Sequence, residues 1–257
     1  MDDQALIARW KAEERQPFQG WDFAYLSGRY HEEEPPWSYE GMVRELLRDA
    51  DSVLDMGTGG GEKLMEFADA LPRRTVATEG YAPNVPVARA YLEPHDIRVV
   101  EYDAETDDRM PFDDGSFALI LNRHEAYDAV EVARVLHSGG HFLTQQVDGR
   151  DPAELLTVFG LTSSYLHINL ESCRHELEQA GLHIERAADW QGRATFSDVG
   201  AFVYFLHAAP WSAPPDFSVE RYADVLLKLH RDRQSLAFTI HRFFILARKS
   251  VKAVENR

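Results

Sequence analysis

Between Ser52 and Val147, short apolar runs suited to buried strands alternate with amphipathic stretches, and the first run breaks into Gly57-Thr58-Gly59-Gly60-Gly61. No other feature constrains the fold as much. The spacing predicts strands at Ser52–Met56, Thr75–Thr78, Ile97–Tyr102, Phe117–Leu121 and His141–Val147. Helices fall between them: one after Gly61 that buries Leu64, Met65, Phe67 and Ala68, one over Val85–Leu92, and one over Tyr127–Leu136 stopped by His137-Ser138-Gly139-Gly140. Strand and helix alternating through short connections imply a doubly wound parallel sheet with helices on both faces. Phe117–Leu121 is apolar throughout, as a strand covered on both faces requires.

The flanks read differently. Before the sheet, Trp10, Phe18, Trp21, Tyr25, Tyr30, Trp37 and Tyr39 punctuate an acidic stretch broken by Pro35-Pro36, and Tyr39–Ala50 has helical spacing. After it come a helix over Glu171–Ala180 stopped by Gly181, a strand near His183–Arg186, helices over Asp198–His207 and Val219–Arg231, and a closing strand, Phe238–Ala247. The expectation is one domain of seven strands with the last antiparallel. Residues 1–50 would form an N-terminal helical flap, 51–150 the ligand-binding core, and 151–257 a substrate-side half with a helical insertion near 195–235.

Composition excludes several function classes. No apolar run reaches the length of a membrane span, the N-terminus has no leader pattern, and the single cysteine, Cys173, builds neither a disulfide nor a zinc site alone. A cytoplasmic monomer or homodimer that needs no metal is expected. The net charge of −16 argues against a phosphate backbone as partner, although Glu220 to Arg257 carries nine Lys or Arg against four Asp or Glu.

A glycine turn between a strand and a helix lets a ligand approach backbone that a Cβ would shield. A dinucleotide turn would need glycine at position 62, where Glu62 stands, and the Gly-Lys-Ser/Thr of a phosphate-cradling loop is absent. A carboxylate there repels pyrophosphate and tolerates a neutral or cationic ligand. Val53-Leu54-Asp55-Met56-Gly57-Thr58-Gly59-Gly60-Gly61 resembles the first motif of the class I S-adenosylmethionine (SAM)-dependent methyltransferases, including their methyltransferase type 11 group. Met110-Pro111-Phe112-Asp113-Asp114-Gly115-Ser116-Phe117 resembles their entry to the fourth strand, with Ala118 where the family has aspartate. The likeness covers residues 50 to 148 and implies a Rossmann-like fold, with SAM as cofactor and S-adenosylhomocysteine as product. It places Asp55 near the methionine amino group, Gly57, Thr58, Gly59 and Gly61 along the methionine and ribose, and Glu79 with Gly80 at the ribose hydroxyls. Asp103 with Ala104 would lie at the adenine.

At the fourth strand end, Leu121-Asn122-Arg123-His124-Glu125 borders the reacting gap. Asn122 is a candidate for SAM or acceptor. His124 is the candidate base, since imidazole titrates near neutrality, and Glu125 either orients it or faces solvent. His31, Trp37, Tyr204, Trp211 and Arg242 are candidate acceptor contacts. The expected function is methyl transfer to oxygen, nitrogen or carbon of a small molecule. RNA or protein as acceptor is the alternative within enzymes; resemblance to the rRNA guanine methyltransferases is weakened by the missing N-terminal zinc cysteines. A SAM-binding module without turnover is the alternative outside them.

Overall fold

The computed structural model describes residues 2–18, 23–151, 153–232 and 236–251, which leaves Trp21 and the Trp211 side chain outside the described residues. Its strands are β1 (Tyr30–Glu32), β2 (Ser52–Met56), β3 (Arg74–Glu79), β4 (Arg98–Glu101), β5 (Phe117–Arg123), β6 (Leu136–Val147), β7 (Leu182–Phe196) and β8 (Ala237–Lys249). The helices are α1 (Asp3–Glu13), α2 (Tyr39–Leu47), α3 (Glu62–Met65), α4 (Val85–Leu92), α5 (Ala129–Val135), α6 (Ala153–Val158), α7 (Leu170–Gln179), α8 (Val199–Ala208) and α9 (Ala223–Arg231). Strand order is β1-β7-β8-β6-β5-β2-β3-β4. The run from β6 to β4 is parallel, and β8 pairs antiparallel with β6. This mixed sheet has eight strands where seven were expected. The addition is β1, which lies in the segment read as a helical flap and pairs antiparallel with the far end of β7.

Two compact units divide the described residues. The larger takes residues 37–147, 168–189 and those from Arg242 on; its parallel strands bury Leu54, Met56, Ile120 and Phe142 on one face and Val53, Leu119, Leu121 and Leu143 on the other. The smaller takes the N-terminal segment to Pro36, then 148–167 and 190–241, around a core rich in rings: Trp10, Phe196, Phe202, Tyr204 and Phe238. No helix among the described residues is long and apolar enough to cross a membrane.

Local chemistry explains the element ends. Ser38 accepts from Gly41 N to start α2, which buries Tyr39, Met42, Val43 and Leu47 as one stripe. Asp128 caps α5 through Val130 and Glu131 N–H, and Asp198 caps α8 through Ala201 N–H. Of the boundaries that differ from expectation, three have a visible local cause. The helix after Gly61 ends at Met65, because Phe67 and Ala68 donate to carbonyls only three residues back; Ala68 is exposed. Gly139 and Gly140 do not cap a helix. Leu136 is already extended and pairs with Phe117, and Gly139 (φ 81°) lies where the β5–β6 register slips. β7 runs ten residues past Arg186, and from Trp190 its outer residues Gln191, Arg193 and Thr195 alternate with buried Gly192, Ala194 and Phe196.

Candidate active site

The order β5-β2-β3-β4 brings four sequence-distant chain crossings side by side, so the carboxyl ends of the strands place Asn122, Asp55, Glu79 and Asp103 in a row. Ligands of doubly wound sheets bind at this rim. The glycine turn closes it. Thr58 N–H donates to Thr78 O (2.9 Å) and Gly61 N–H to Thr58 O (3.0 Å), folding the loop against β3. Gly57 (φ 66°) and Gly61 (φ 94°) hold left-handed backbone that other residues resist. A Cβ on Gly57 would strike Glu125, and one on Gly61 would lie 2.7 Å from Leu92 Cγ. Glu62 is exposed, and its carboxylate folds over Gly60.

Each carboxylate has a distinct environment. Glu79, 4% exposed, accepts from Gly59 N–H (2.6 Å) and Tyr81 N–H (2.8 Å), so the acid at the end of β3 also braces the glycine turn. Burial pushes its pKa up against these hydrogen bonds. Asp55 is pushed up to about 7 by burial, opposed by the nearby Thr58 and reinforced by the Glu79 charge. Glu125 also reaches about 7, through burial and then the charges of Glu79, Asp103 and Glu105. Asp103 accepts from Glu105 N–H (2.9 Å), and Gly80 packs so closely that a Cβ there would lie 2.8 Å from Asp103 Cβ. The rim therefore gathers acids whose charged forms are disfavoured by burial, and among the described residues none of the causes that shift Asp55 or Glu125 is a cation.

Beside the acids is a buried polar network. Asn122 is fully buried; its Oδ1 accepts from Thr144 Oγ1 (2.8 Å) and Gln146 Nε2 (2.6 Å), while its Nδ2 has no partner. Gln146 Nε2 also donates to Glu125 O (2.8 Å), and Tyr39 OH to Asn122 O (3.3 Å). His124 follows with φ 60°, a strained conformation for a residue with a Cβ. Burial, then Arg123 and Arg242, hold its pKa well below the ordinary imidazole value.

Of the residues proposed from sequence, Asp55, Gly57, Thr58, Gly59, Gly61, Glu79, Gly80, Asp103, Ala104 and Asn122 all fall on these strand ends and turns, with His124 beside them. Trp37 and Arg242 belong to the same unit, Trp37 packing on Phe244 at a ring separation of 5.0 Å. His31 and Tyr204 belong to the smaller unit. His31 is exposed on β1, and Tyr204 is buried in that unit's core beside Tyr25 (4.5 Å), so it packs there rather than presenting its ring. Trp211 sits in a short turn whose side chains are in part undescribed. Sequence reasoning missed Thr144, Gln145 and Gln146. A partial signal was present: Thr144-Gln145-Gln146 places three polar residues in succession within the strand His141–Val147.

A glycine turn and three strand-end acids thus stand side by side on the parallel part of the sheet. Residues 53–140 match the family described as a methyltransferase domain. The match spans about a third of the chain, and with the methyltransferase relatives below it supports a methyltransferase enzyme. It is 28% identical over 201 residues to the 23S rRNA (guanine(748)-N(1))-methyltransferase of Streptomyces fradiae, covering 75% of this chain and 67% of that protein. Against the uncharacterized methyltransferase YcgJ of Bacillus subtilis it is 32% identical over 98 residues, or 35% of this chain and 38% of that one. A Bacillus halodurans C-125 crystal structure shares the fold with TM-score 0.57 at 20% identity, over 82% of this chain and 97% of the other.

Proposed function

We propose that this chain binds SAM along the β2–β5 rim and methylates an oxygen, nitrogen or carbon atom of a small molecule. One observation carries the reading: Asp55, Glu79, Asp103 and Glu125 meet around a glycine turn with their charge incompletely paired, a setting for a cationic cofactor and a hostile one for a dinucleotide. The fit rests on the chain's own groups. Glu79 and Asp103 offer remaining lone pairs to hydroxyl and amino hydrogens, Asp55 and Glu125 offer charge to an ammonium or sulfonium, and Asn122 Nδ2 offers two unused N–H bonds. SAM supplies a methyl group on a positively charged sulfur.

The residues then act by position. Holding an acceptor in line with a reactive carbon supplies much of such a rate, and a base is needed only when the acceptor loses a proton. Burial, then Arg123 and Arg242, favour the neutral form of His124, which has one ring nitrogen to donate and one to accept. Calorimetry should give micromolar binding of SAM and none of NAD; the reverse result would overturn the reading. Incubation with methyl-labelled SAM and a metabolite extract should then transfer label to a small compound.

A second reading, RNA as acceptor, is favoured by the likeness to the Streptomyces fradiae enzyme. The net charge of −16 opposes it, and a lone cysteine cannot form the zinc site that rRNA guanine methyltransferases carry. Salt-dependent retention of rRNA fragments, with label passing to them and not to the extract, would select it.

A further inference from the structure

The fourth-strand end contains a hydrogen-bond chain whose directions are fixed by chemistry. Trp37 Nε1 lies 2.8 Å from Gln145 Oε1, and Gln145 Nε2 lies 3.3 Å from His124 Nε2. An indole N–H can only donate, so it requires the oxygen of the Gln145 amide. The amide nitrogen is thereby turned to His124, and it too can only donate. His124 Nε2 must then offer its lone pair. In a neutral imidazole the single proton is left on Nδ1. The frame is firm: Trp37 packs on Phe244, Gln145 is 5% exposed, and His124 N–H donates to Gln145 O (2.8 Å). That last bond continues the β5–β6 ladder one residue beyond the pairing of Arg123 with Gln145.

We infer that Trp37 and Gln145 are positioning residues that fix His124 as its Nδ1–H tautomer, so that it enters the reaction as a hydrogen-bond donor and not as a free base. Proton acceptance at Nε2 would first require Gln145 to withdraw, and acceptance at Nδ1 would require a tautomer that this amide opposes. This also gives Trp37 a role that flap packing does not include. The tautomer assignment is independent of methyl transfer; its consequence for turnover rests on the proposed function.

The experiment is side-chain nitrogen NMR on the full chain labelled with 15N-histidine, the His124 signals being identified by their loss in His124→Gln. Wild type should show Nδ1 protonated and Nε2 bare. Gln145→Glu keeps an oxygen for the Trp37 indole and removes the donor, so it should reverse the pattern and protonate Nε2. Trp37→Phe, which keeps a ring against Phe244, should leave Gln145 free to turn and give a mixture of both forms. A wild-type Nε2–H, or an unchanged pattern in Gln145→Glu with an intact circular-dichroism spectrum, would overturn the assignment. Where methyl transfer is measured, Gln145→Glu should lower kcat at least about tenfold with KM for SAM unchanged, in the range of a misdirected proton-handling group. Full turnover with a reversed tautomer would sink the donor role and leave the SAM reading intact.

Discussion

Carboxylates in the two units are treated in opposite ways. In the smaller unit, Arg29 binds Glu13 (2.9 Å) and Asp198 (2.9 Å) at once, Tyr25 OH adds a bond to Glu13 (2.8 Å), and Asp198 is lowered to about 2 by hydrogen bonds from Arg29, Ala201 and Ser197 that outweigh its burial. At the strand ends of the larger unit, Asp55 and Glu125 sit at about 7, burial and neighbouring acids acting together. The first set is complete within the protein and holds α1, the loop at Arg29 and α8 together. In the second set, no cation figures among the causes that shift Asp55 and Glu125. An acid whose charge is answered within the fold serves stability, whereas an acid cluster left short of cations points to a ligand.

The sharpest way to break this contrast is to remove one acid from the ligand side. Glu79→Ala should weaken SAM binding by on the order of 100-fold, since it removes a carboxylate able to form two charge-assisted bonds and releases the brace at Gly59. Asp103→Ala should cost about tenfold, the worth of one such bond. Calorimetry at fixed salt checks both, and unchanged affinity in the two variants would defeat the residue assignments.

The complementary cut falls on the paired side. Arg29→Met leaves Glu13 and Asp198 without their shared cation. Because the group is only partly buried, the expected loss is about 2 kcal/mol, read as a melting temperature lower by about 4–8 °C. SAM affinity should stay within about twofold of wild type, below the worth of a single hydrogen bond. A variant that melts normally and loses SAM would put Arg29 with the ligand and erase the distinction between the regions.

How legible this was depended on whether each cause was local. β2 and α4 have the expected limits, because an apolar run ending at a glycine turn and a stripe of Val85, Ala88 and Leu92 are both written in adjacent residues. The strand-end positions of Asp55, Glu79, Asp103 and Asn122 were legible because such a position is itself a local property once the alternation is recognised. Gln145 was missed because its role depends on Trp37, 108 residues earlier, and on an amide orientation that no spacing encodes. Glu125 was expected to orient His124 or face water; it lies half-buried against Gly57, a contact made by folding β5 beside β2. β1 escaped notice because three residues show no reliable period and their partner is the unexpected extension of β7.

The smallest predicted effect separates the regions by pH. Asp198 has a folded pKa below its ordinary value, so the stability it gives is present above about pH 4 and is lost as pH falls toward 2. Asp55 and Glu125 have folded pKa values above theirs. Their contribution is full below about pH 4 and is lost as pH rises through 7, where the charged forms must exist half-buried among other acids. Ligand-free protein should therefore lose about 1 kcal/mol of stability between pH 4 and 8 from this pair, after allowing for the water that reaches both groups. Urea midpoints across that range measure it. Asp55→Asn with Glu125→Gln should flatten the neutral flank alone, and Asp198→Asn the acid flank alone. Saturating SAM should also flatten the neutral flank, because a bound cation favours the ionised carboxylates, and its affinity should rise as pH passes 7. If SAM steepened that flank, the charge at these strand ends would not be what the cofactor recognises.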